Sequence, residues 1–210
     1  MTPKDSLEQY QPLIKKMRED FPLLKQKIKG KKIIYLDNAA TAQKPAGVIN
    51  AIDNFYEQYN ANVHRGIYTI TQKATQEYER AREKIAQFLN AERDEIIFTS
   101  GTTAGINIVA HAVEPIIKEG EEIIITIMEH HSNFVPWQQL ALRTKAKLIV
   151  VPLEKKNIEL DWNFFSKVIS LKTKIIAFSY ASNVLGMINP VREVIKMAKK
   201  VGAITIIDAA

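Results

Sequence analysis

The chain has 210 residues, of which 46% are hydrophobic and 25% charged, and it contains only 8 Gly and 8 Pro. This composition is typical of a globular protein and argues against a collagen-like, disordered or membrane-spanning protein. The 29 basic and 23 acidic side chains give a formal net charge of +6. The sequence has no cysteine, which excludes a disulfide framework or a thiolate metal site within it.

The positive charge is concentrated at the start of the chain. Residues 1–32 carry nine Lys or Arg and four Asp or Glu, a net charge of +5, so the remaining residues carry only +1. The lysines of residues 25–32 have no aromatic side chains among them that could stack on bases. We therefore interpret the segment as a solvated surface and predict no nucleic-acid partner; docking on an acidic partner is the alternative.

The sequence also bears on localisation. No apolar stretch of signal-peptide length lies near the start, and acidic residues among the first lysines argue against a transit peptide. The longest apolar runs, such as residues 123–128, are far shorter than the roughly 18 residues needed to cross a bilayer. We therefore expect a cytoplasmic protein with no membrane partner.

The first part of the chain is predicted to be largely helical. We expect a short helix and a connector within residues 7–32, then a short strand at residues 33–36. Pro45 is suited to the first turn of a helix that reaches about Tyr59. A second long helix is predicted at residues 71–89. Its apolar residues recur at helical spacing on one face: Tyr78, Ala81, Ile85, Phe88 and Leu89.

From residue 95 onward, strands and helices alternate regularly. Buried strands are predicted at residues 95–99, 122–127, 147–153, 174–180 and 203–207. Their first strongly apolar residues lie 27, 25, 27 and 29 positions apart, and segments such as Val191–Val201 between them have helical periodicity. Consecutive Ile and Val residues in strands separated by helices predict an α/β fold, with a mostly parallel sheet covered by helices on both faces.

Ligands of such sheets bind at the carboxyl ends of the strands. Residues 100–107, with the sequence SGTTAGIN, follow a predicted strand and open a helix. Small residues at a helix N-terminus let backbone amides bind an anion, so this segment is either a phosphate site or an ordinary N-cap. It matches neither the dinucleotide-binding glycine motif nor the Walker loop.

Other polar residues follow the remaining strands. His130 and His131 are adjacent and would point to opposite sides, so a shared metal is not expected; His130 either stacks on a flat ring or has a structural role. Asp208 is either a helix N-cap or a group directed into a strand-end site, and Asn183 is a turn residue unless a site recruits it.

A phosphate site, a stacking group and an acid at neighbouring strand ends are what pyridoxal phosphate requires. The acid keeps the pyridine nitrogen protonated, so that the ring can accept electrons. The cofactor also requires a lysine, and Lys155 and Lys156 are the nearest candidates, although they resemble an exposed turn.

Several motifs resemble, in order, those of the SufS-type cysteine desulfurases, which are fold-type I, class V aminotransferase-like enzymes. The resemblance runs from about Asp20 to Ala210. It rests on residues 35–41 (YLDNAAT), 43–45 (QKP), 62–66 (NVHRG), 100–107 (SGTTAGIN), 128–133 (MEHHSN), 135–138 (VPWQ) and 182–186 (SNVLG).

The resemblance implies a role for individual residues. It implies that Gly101, Thr102 and Thr103 bind the cofactor phosphate. It also implies that His130 stacks on the pyridine ring, that Asn183 lies beside the cofactor and the substrate carboxylate, and that Asp208 pairs with the pyridine nitrogen. His64 and Arg65 would belong to a loop that borders the active site near a homodimer interface. Ala104 departs from the family, in which Glu is usual.

The resemblance further implies residues that would follow Ala210: a Gln that contacts the cofactor, the Schiff-base Lys, the Cys that accepts sulfur and an Arg for the substrate carboxylate. We therefore expect residues 1–32 to be an N-terminal helical, basic segment and residues 33–210 an incomplete, truncated cofactor-binding large domain. None of the catalytic groups would lie in this chain, which as given would be an inactive fragment.

The implied reaction removes sulfur from L-cysteine, giving L-alanine and an enzyme persulfide for a sulfur-acceptor protein of iron–sulfur cluster assembly. Three alternatives remain open. The chain could derive from a selenocysteine lyase or another class V aminotransferase, it could be a noncatalytic binding module, or it could be half of a split enzyme.

Overall fold

The computed structural model describes residues 10–154 and 159–210. The chain divides into two compact units, Met1–Ile97 and Phe98–Ala210. The division predicted between residues 32 and 33 stays a prediction. Lys155, Lys156 and the first residues of the segment predicted at 7–32 lie outside the described residues.

The described part of the first unit is mainly helical. Its elements are α1 (Gln11–Glu19), a 3-10 turn (Pro22–Lys25), β1 (Lys27–Ile28), β2 (Lys31–Lys32), α2 (Ala46–Gln58), α3 (Thr69–Leu89) and a second 3-10 turn (Arg93–Glu95). β1 and β2 form an antiparallel hairpin, whose turn residues Lys29 and Gly30 both have the positive φ that a two-residue hairpin favours. α2 and α3 confirm the two predicted helices.

The strands predicted at residues 33–36 and 95–99 are wrong. Residues 33–36 have irregular structure, and the 3-10 turn that ends at Glu95 is followed by an irregular segment. Ile34 is 83% exposed and Ile97 is 73% exposed. A strand is held by hydrogen bonds to a neighbouring strand. Neither segment forms a β-ladder or a β-bridge with any described residue, so an apolar pattern alone does not make a strand.

The apolar face of α3 is mostly exposed within the chain. Phe88 is almost fully exposed within the chain, whereas Thr71, Ala74 and Ala86 are buried. The loop before α3 approaches so closely that a Cβ on Gly66 would lie 2.4 Å from Thr71 Oγ1. The absence of a side chain on Gly66 permits this approach, and the loop therefore covers the small side chain of Thr71.

The second unit alternates helices and strands. Its described elements are α4 (Thr102–Val113), a 3-10 turn (Glu114–Ile116), β3 (Glu122–Thr126), a 3-10 turn (His131–Asn133), α5 (Val135–Thr144), β4 (Lys147–Val151), α6 (Trp162–Val168), β5 (Thr173–Ser179), α7 (Val191–Val201) and β6 (Ile204–Asp208). Four of the five predicted strands are thus confirmed, each within one or two residues of the predicted bounds.

These four strands form one parallel sheet in the order β4-β3-β5-β6. The chain passes from β3 to β4 on one side and then returns to β5 on the other side of β3. The strand order therefore reverses beside β3, which opens a crevice outside the carboxyl ends of β3 and β5.

The side chains of β3 alternate between two hydrophobic cores. Ile123 and Ile125 pack with residues of α4 and α5, whereas Ile124 packs with residues of α6 and α7. All three are essentially inaccessible to solvent. This arrangement confirms the predicted α/β fold, a parallel sheet with helices on both faces, and explains why β3 is an uninterrupted run of Ile.

In the part of the chain that the structure describes, no helix combines the length and the apolar character that a bilayer span requires.

Substituting Ile125 with Ala should test the first of these cores. The side chain is 0% exposed, so its truncation should lower the free energy of unfolding by about 2–5 kcal/mol through lost burial and a residual cavity. Ile108→Ala, at a position of α4 that is 53% exposed, should change it by less than about 1 kcal/mol. Urea denaturation measures both, and equal losses would contradict the assignment of this core.

Candidate functional site

The carboxyl ends of β3 and β5 border a cleft of about 430 Å³. It is lined by residues 127–131 after β3, by Leu153 after β4 and by residues 182–185 after β5. This is the position that the reversal of strand order favours for a ligand, and the volume is within the range of small-molecule and cofactor sites.

His130 lies on the wall of this cleft, at the N-cap of the 3-10 turn that follows β3. Its Nδ1 accepts a hydrogen bond from the backbone N–H of Ser132 at 3.2 Å and lies 2.7 Å from Ser132 Oγ. The ring is exposed, and its orientation is fixed through Nδ1. His131 is also exposed, and its ring centroid lies 6.1 Å from that of His130. Among the described residues, no cluster of His, Cys, Asp and Glu could hold a metal ion.

Sequence reasoning did not identify Glu129 as a functional residue. Its side chain is buried, and its carboxylate accepts hydrogen bonds from Thr126 Oγ1 and, at 2.6 Å, from Asn133 Nδ2. Asn133 Oδ1 in turn accepts from Trp137 Nε1 at 2.8 Å. The spacing of four residues from Glu129 to Asn133 to Trp137 was the available signal, because a chain turning into a helix brings such residues together.

Burial raises the pKa of the Glu129 carboxyl above its ordinary value. Hydrogen bonds from Thr126, Asn133 and the backbone of Ser179 oppose this shift, and the charge of Asp208 adds to it. Asp208 therefore lies close enough for its charge to act on Glu129, although neither sequence position nor motif spacing indicates this proximity.

Asp208 is the last residue of β6 and pairs in register with Ser179 of β5. Its backbone oxygen accepts a hydrogen bond from Tyr180 N at 2.7 Å, and its Oδ1 accepts from Ala210 N at 3.1 Å. The hydroxyl of Ser179 is buried and has no hydrogen-bond partner among the described residues. A polar ligand in this region could satisfy that hydroxyl.

Asn183 lies at the tip of a short antiparallel hairpin after β5. Ala181 and Ile188 form an antiparallel bridge, and Ser182 N donates to Met187 O at 2.9 Å. The buried hydroxyl of Ser182 accepts hydrogen bonds from the backbone amides of Val184 and Leu185, and these bonds shape the turn. This hairpin presents the exposed Asn183 to the same cleft that His130 lines.

Gly101, Thr102 and Thr103 form the N-terminus of α4 and are exposed. No side chain caps this helix end, so its first amides remain available to an anion. Gly101 has a φ of +155°, which side chains rarely adopt. α4 packs against the 3-10 turn that follows His130, within the same unit.

His64 and Arg65 belong to the first unit. His64 has a φ of +68°, its Nε2 lies 3.4 Å from Glu79 Oε1, and its backbone N–H donates to Thr75 Oγ1 at 3.0 Å. These contacts hold the loop on α3, so the structure gives His64 an anchoring role there. Arg65 is exposed.

Comparison with known proteins identifies the family. The profile described as "Aminotransferase class-V" matches residues 34–210. The chain belongs to this family.

Two curated relatives of this chain are both named as probable cysteine desulfurases. A probable cysteine desulfurase from Halalkalibacterium halodurans is 50% identical over 192 residues, which are 90% of this chain and 47% of that protein. One from Streptomyces coelicolor is 48% identical over 201 residues, 92% of this chain and 48% of that protein. The apo structure of a cysteine desulfurase from Thermococcus onnurineus has a TM-score of 0.84 and 39% identity, covering 93% of this chain and 47% of that one. The chain spans about half the length of these relatives.

A variant in which Glu129 cannot ionise should reveal its raised pKa. Because the folded state holds the proton more tightly than the unfolded state, this carboxyl favours folding below about pH 4.5, its ordinary pKa, and loses that contribution as pH rises through the raised value. The free energy of unfolding of the wild type, relative to Glu129→Gln, should therefore fall as pH rises above 4.5. Urea denaturation at several pH values measures this difference in the free energy of unfolding. If the wild type instead gains stability relative to Glu129→Gln as pH rises, the raised pKa is contradicted.

Proposed function

We propose that this chain forms the pyridoxal-phosphate site of a cysteine desulfurase, which removes sulfur from L-cysteine. The observation that carries the proposal is the cleft where the strand order reverses. The cleft is lined by Glu129, His130 and Asn183, and the charge of Asp208 acts on Glu129. It occurs in a chain that is 50% identical to a protein named as a probable cysteine desulfurase.

The N-terminus of α4 is suited to the phosphate group. Gly101, Thr102 and Thr103 offer backbone amides that no side chain caps, and the helix dipole makes this end positive. The two threonine hydroxyls are exposed and add donors. We assign these three residues to phosphate binding.

The other end of the cofactor requires a flat group and an acid. We assign the exposed ring of His130 to stacking on the pyridine ring, since Ser132 already fixes its orientation. We assign the carboxylate of Asp208 to the protonated ring nitrogen. When bound, pyridoxal phosphate withdraws electrons from the bonds of an amino acid that break during the reaction. Ser179 pairs in register with Asp208, and its buried hydroxyl has no hydrogen-bond partner among the described residues. This hydroxyl supports a polar ligand at this end.

The substrate would approach from the Asn183 side of the cleft. We assign the Asn183 amide to the substrate carboxylate and the cofactor; the roles of His64 and Arg65 stay predictions. The sulfur of L-cysteine would pass to a thiol that these 210 residues do not supply, since they contain no cysteine. This transfer gives L-alanine and a persulfide, and the atoms of the two thiols balance without an added oxidant. The SufS type, a sulfur acceptor of iron–sulfur cluster assembly, a cytoplasmic location and a homodimer stay predictions.

The full-length protein should bind pyridoxal phosphate through Asp208. Asp208→Asn removes the charge that pairs with the ring nitrogen, and it should weaken cofactor binding roughly tenfold or more. The rate of L-alanine release from L-cysteine should fall as well. Asp161→Asn is the matched control, because Asp161 only caps α6 by accepting from Phe164 N, which Asn can also do. Absorbance titration and amino-acid analysis measure these effects. Equal losses in both variants, or alanine release from selenocysteine but not cysteine, would contradict the proposal.

Gly101→Ala should separate the phosphate site from backbone strain. Because Gly101 has a φ of +155°, a side chain there should distort the turn and weaken cofactor binding. Gly202→Ala is the control, since Gly202 at the end of α7 also has positive φ and should lose about 1 kcal/mol of stability. Titration with pyridoxal phosphate should show a weaker affinity for Gly101→Ala alone; unchanged affinity would exclude Gly101 from the site.

A further inference from the structure

A buried chain of hydrogen bonds connects the end of β3 to α5. It runs from Trp137 Nε1 to Asn133 Oδ1, from Asn133 Nδ2 to Glu129 Oε2, and from Thr126 Oγ1 to Glu129 Oε1. Asn133 and Trp137 are 0% exposed, and Thr126 and Glu129 are 6% and 8% exposed. An ionisable side chain is seldom buried this deeply unless its polar atoms are paired, as they are here.

The partners of Glu129 leave little freedom in this chain. Thr126 Oγ1 also accepts from Met128 N at 3.2 Å, and Asn133 Oδ1 is occupied by Trp137. The amide group of Asn133 must therefore donate toward Glu129, and Glu129 must accept it. Removing the carboxyl would leave a buried donor on Asn133 without a partner, which costs more than the loss of an exposed hydrogen bond.

His130 lies between the two ends of this network. Its backbone follows Glu129 directly, and its carbonyl oxygen accepts from Asn133 N at 2.8 Å. The residues that fix its main chain are thus buried, whereas its ring is exposed on the cleft. The orientation of the ring depends on where Glu129 and Asn133 hold this turn.

We propose that Glu129 is a positioning residue that holds the His130 ring in place by binding Thr126 and Asn133. The proposal deepens the proposed function and rests on it for the role of His130. Glu129 touches neither substrate nor cofactor in this role. The geometry requires an acceptor at Glu129 rather than a charge, because an amide oxygen could accept from Asn133 while the Thr126 hydroxyl accepts from the amide nitrogen.

The same strand supplies a matched control. Glu122, at the amino end of β3, also accepts hydrogen bonds from two hydroxyls, Ser170 Oγ at 2.8 Å and Thr173 Oγ1 at 3.4 Å. It lies four residues from Thr126, roughly 13 Å along the strand. Truncating it removes a comparable structural interaction without affecting the cleft.

The experiment compares Glu129→Ala, Glu129→Gln and Glu122→Ala in the full-length protein. Each is measured at a temperature at which circular dichroism shows that it is fully folded. The pyridoxal-phosphate affinity should fall roughly tenfold in Glu129→Ala. It should stay within about threefold of the wild type in Glu129→Gln, whose amide can still accept from Asn133 and hydrogen-bond Thr126. The same is expected for Glu122→Ala, which leaves Glu129 unchanged.

A second measurement does not depend on the cofactor. The ring signals of His130 in the NMR spectrum of the apo protein, assigned by their loss in His130→Asn, should move in Glu129→Ala and stay near the wild-type position in Glu129→Gln and Glu122→Ala. Unmoved His130 signals in Glu129→Ala, or an equal movement in Glu122→Ala, would overturn the proposal. A wild type that binds no pyridoxal phosphate would overturn the proposed function, while the NMR signals would still decide the role of Glu129.

Discussion

The parallel pairing of β3 with strands on both of its sides is the constraint on which the rest of the second unit depends. β4 and β5 occupy both edges of β3, and its three central Ile side chains fill cores on both faces. A strand enclosed in this way has no freedom to shift register without exposing apolar side chains. The turns that follow β3 and β5 are therefore held in fixed positions at one end of the sheet, and the cleft lies between them.

Polar groups at that end are stabilised by pairing inside the protein rather than by solvent. Glu129 is buried at a desolvation cost that raises its pKa, and three neighbouring hydrogen-bond donors offset part of this cost. The exposed His130 ring and Asn183 amide are different, because their partners fix only the backbone or one ring nitrogen. The site thus combines a buried, paired foundation with exposed groups that can bind a ligand.

The strands that the sequence predicted correctly are those that find both a hydrogen-bonding neighbour and a hydrophobic core within this chain. The strands that became β3 to β6 combine consecutive Ile and Val residues with a regular spacing, and each finds a parallel neighbour. Residues 33–36 and 95–99 have the same apolar character, but they form no β-pairing with any described residue and so do not become strands. On α3, the small residue Thr71 is buried against Gly66 while the larger Phe88 is exposed, a difference that hydrophobic periodicity does not report. The sequence did not single out Glu129, because spacing alone does not show that its carboxyl is buried and paired with Thr126 and Asn133.

The distribution of charge gives the proposed ligand a single orientation. The uncapped N-terminus of α4 presents positive backbone dipoles, and Asp208 presents a carboxylate at the end of β6. Glu129 lies near Asp208, and its raised pKa reflects both its burial and that negative charge. A molecule with an anion at one end and a protonated ring nitrogen at the other is complementary to this arrangement, whereas the reversed orientation would bring like charges together at Asp208.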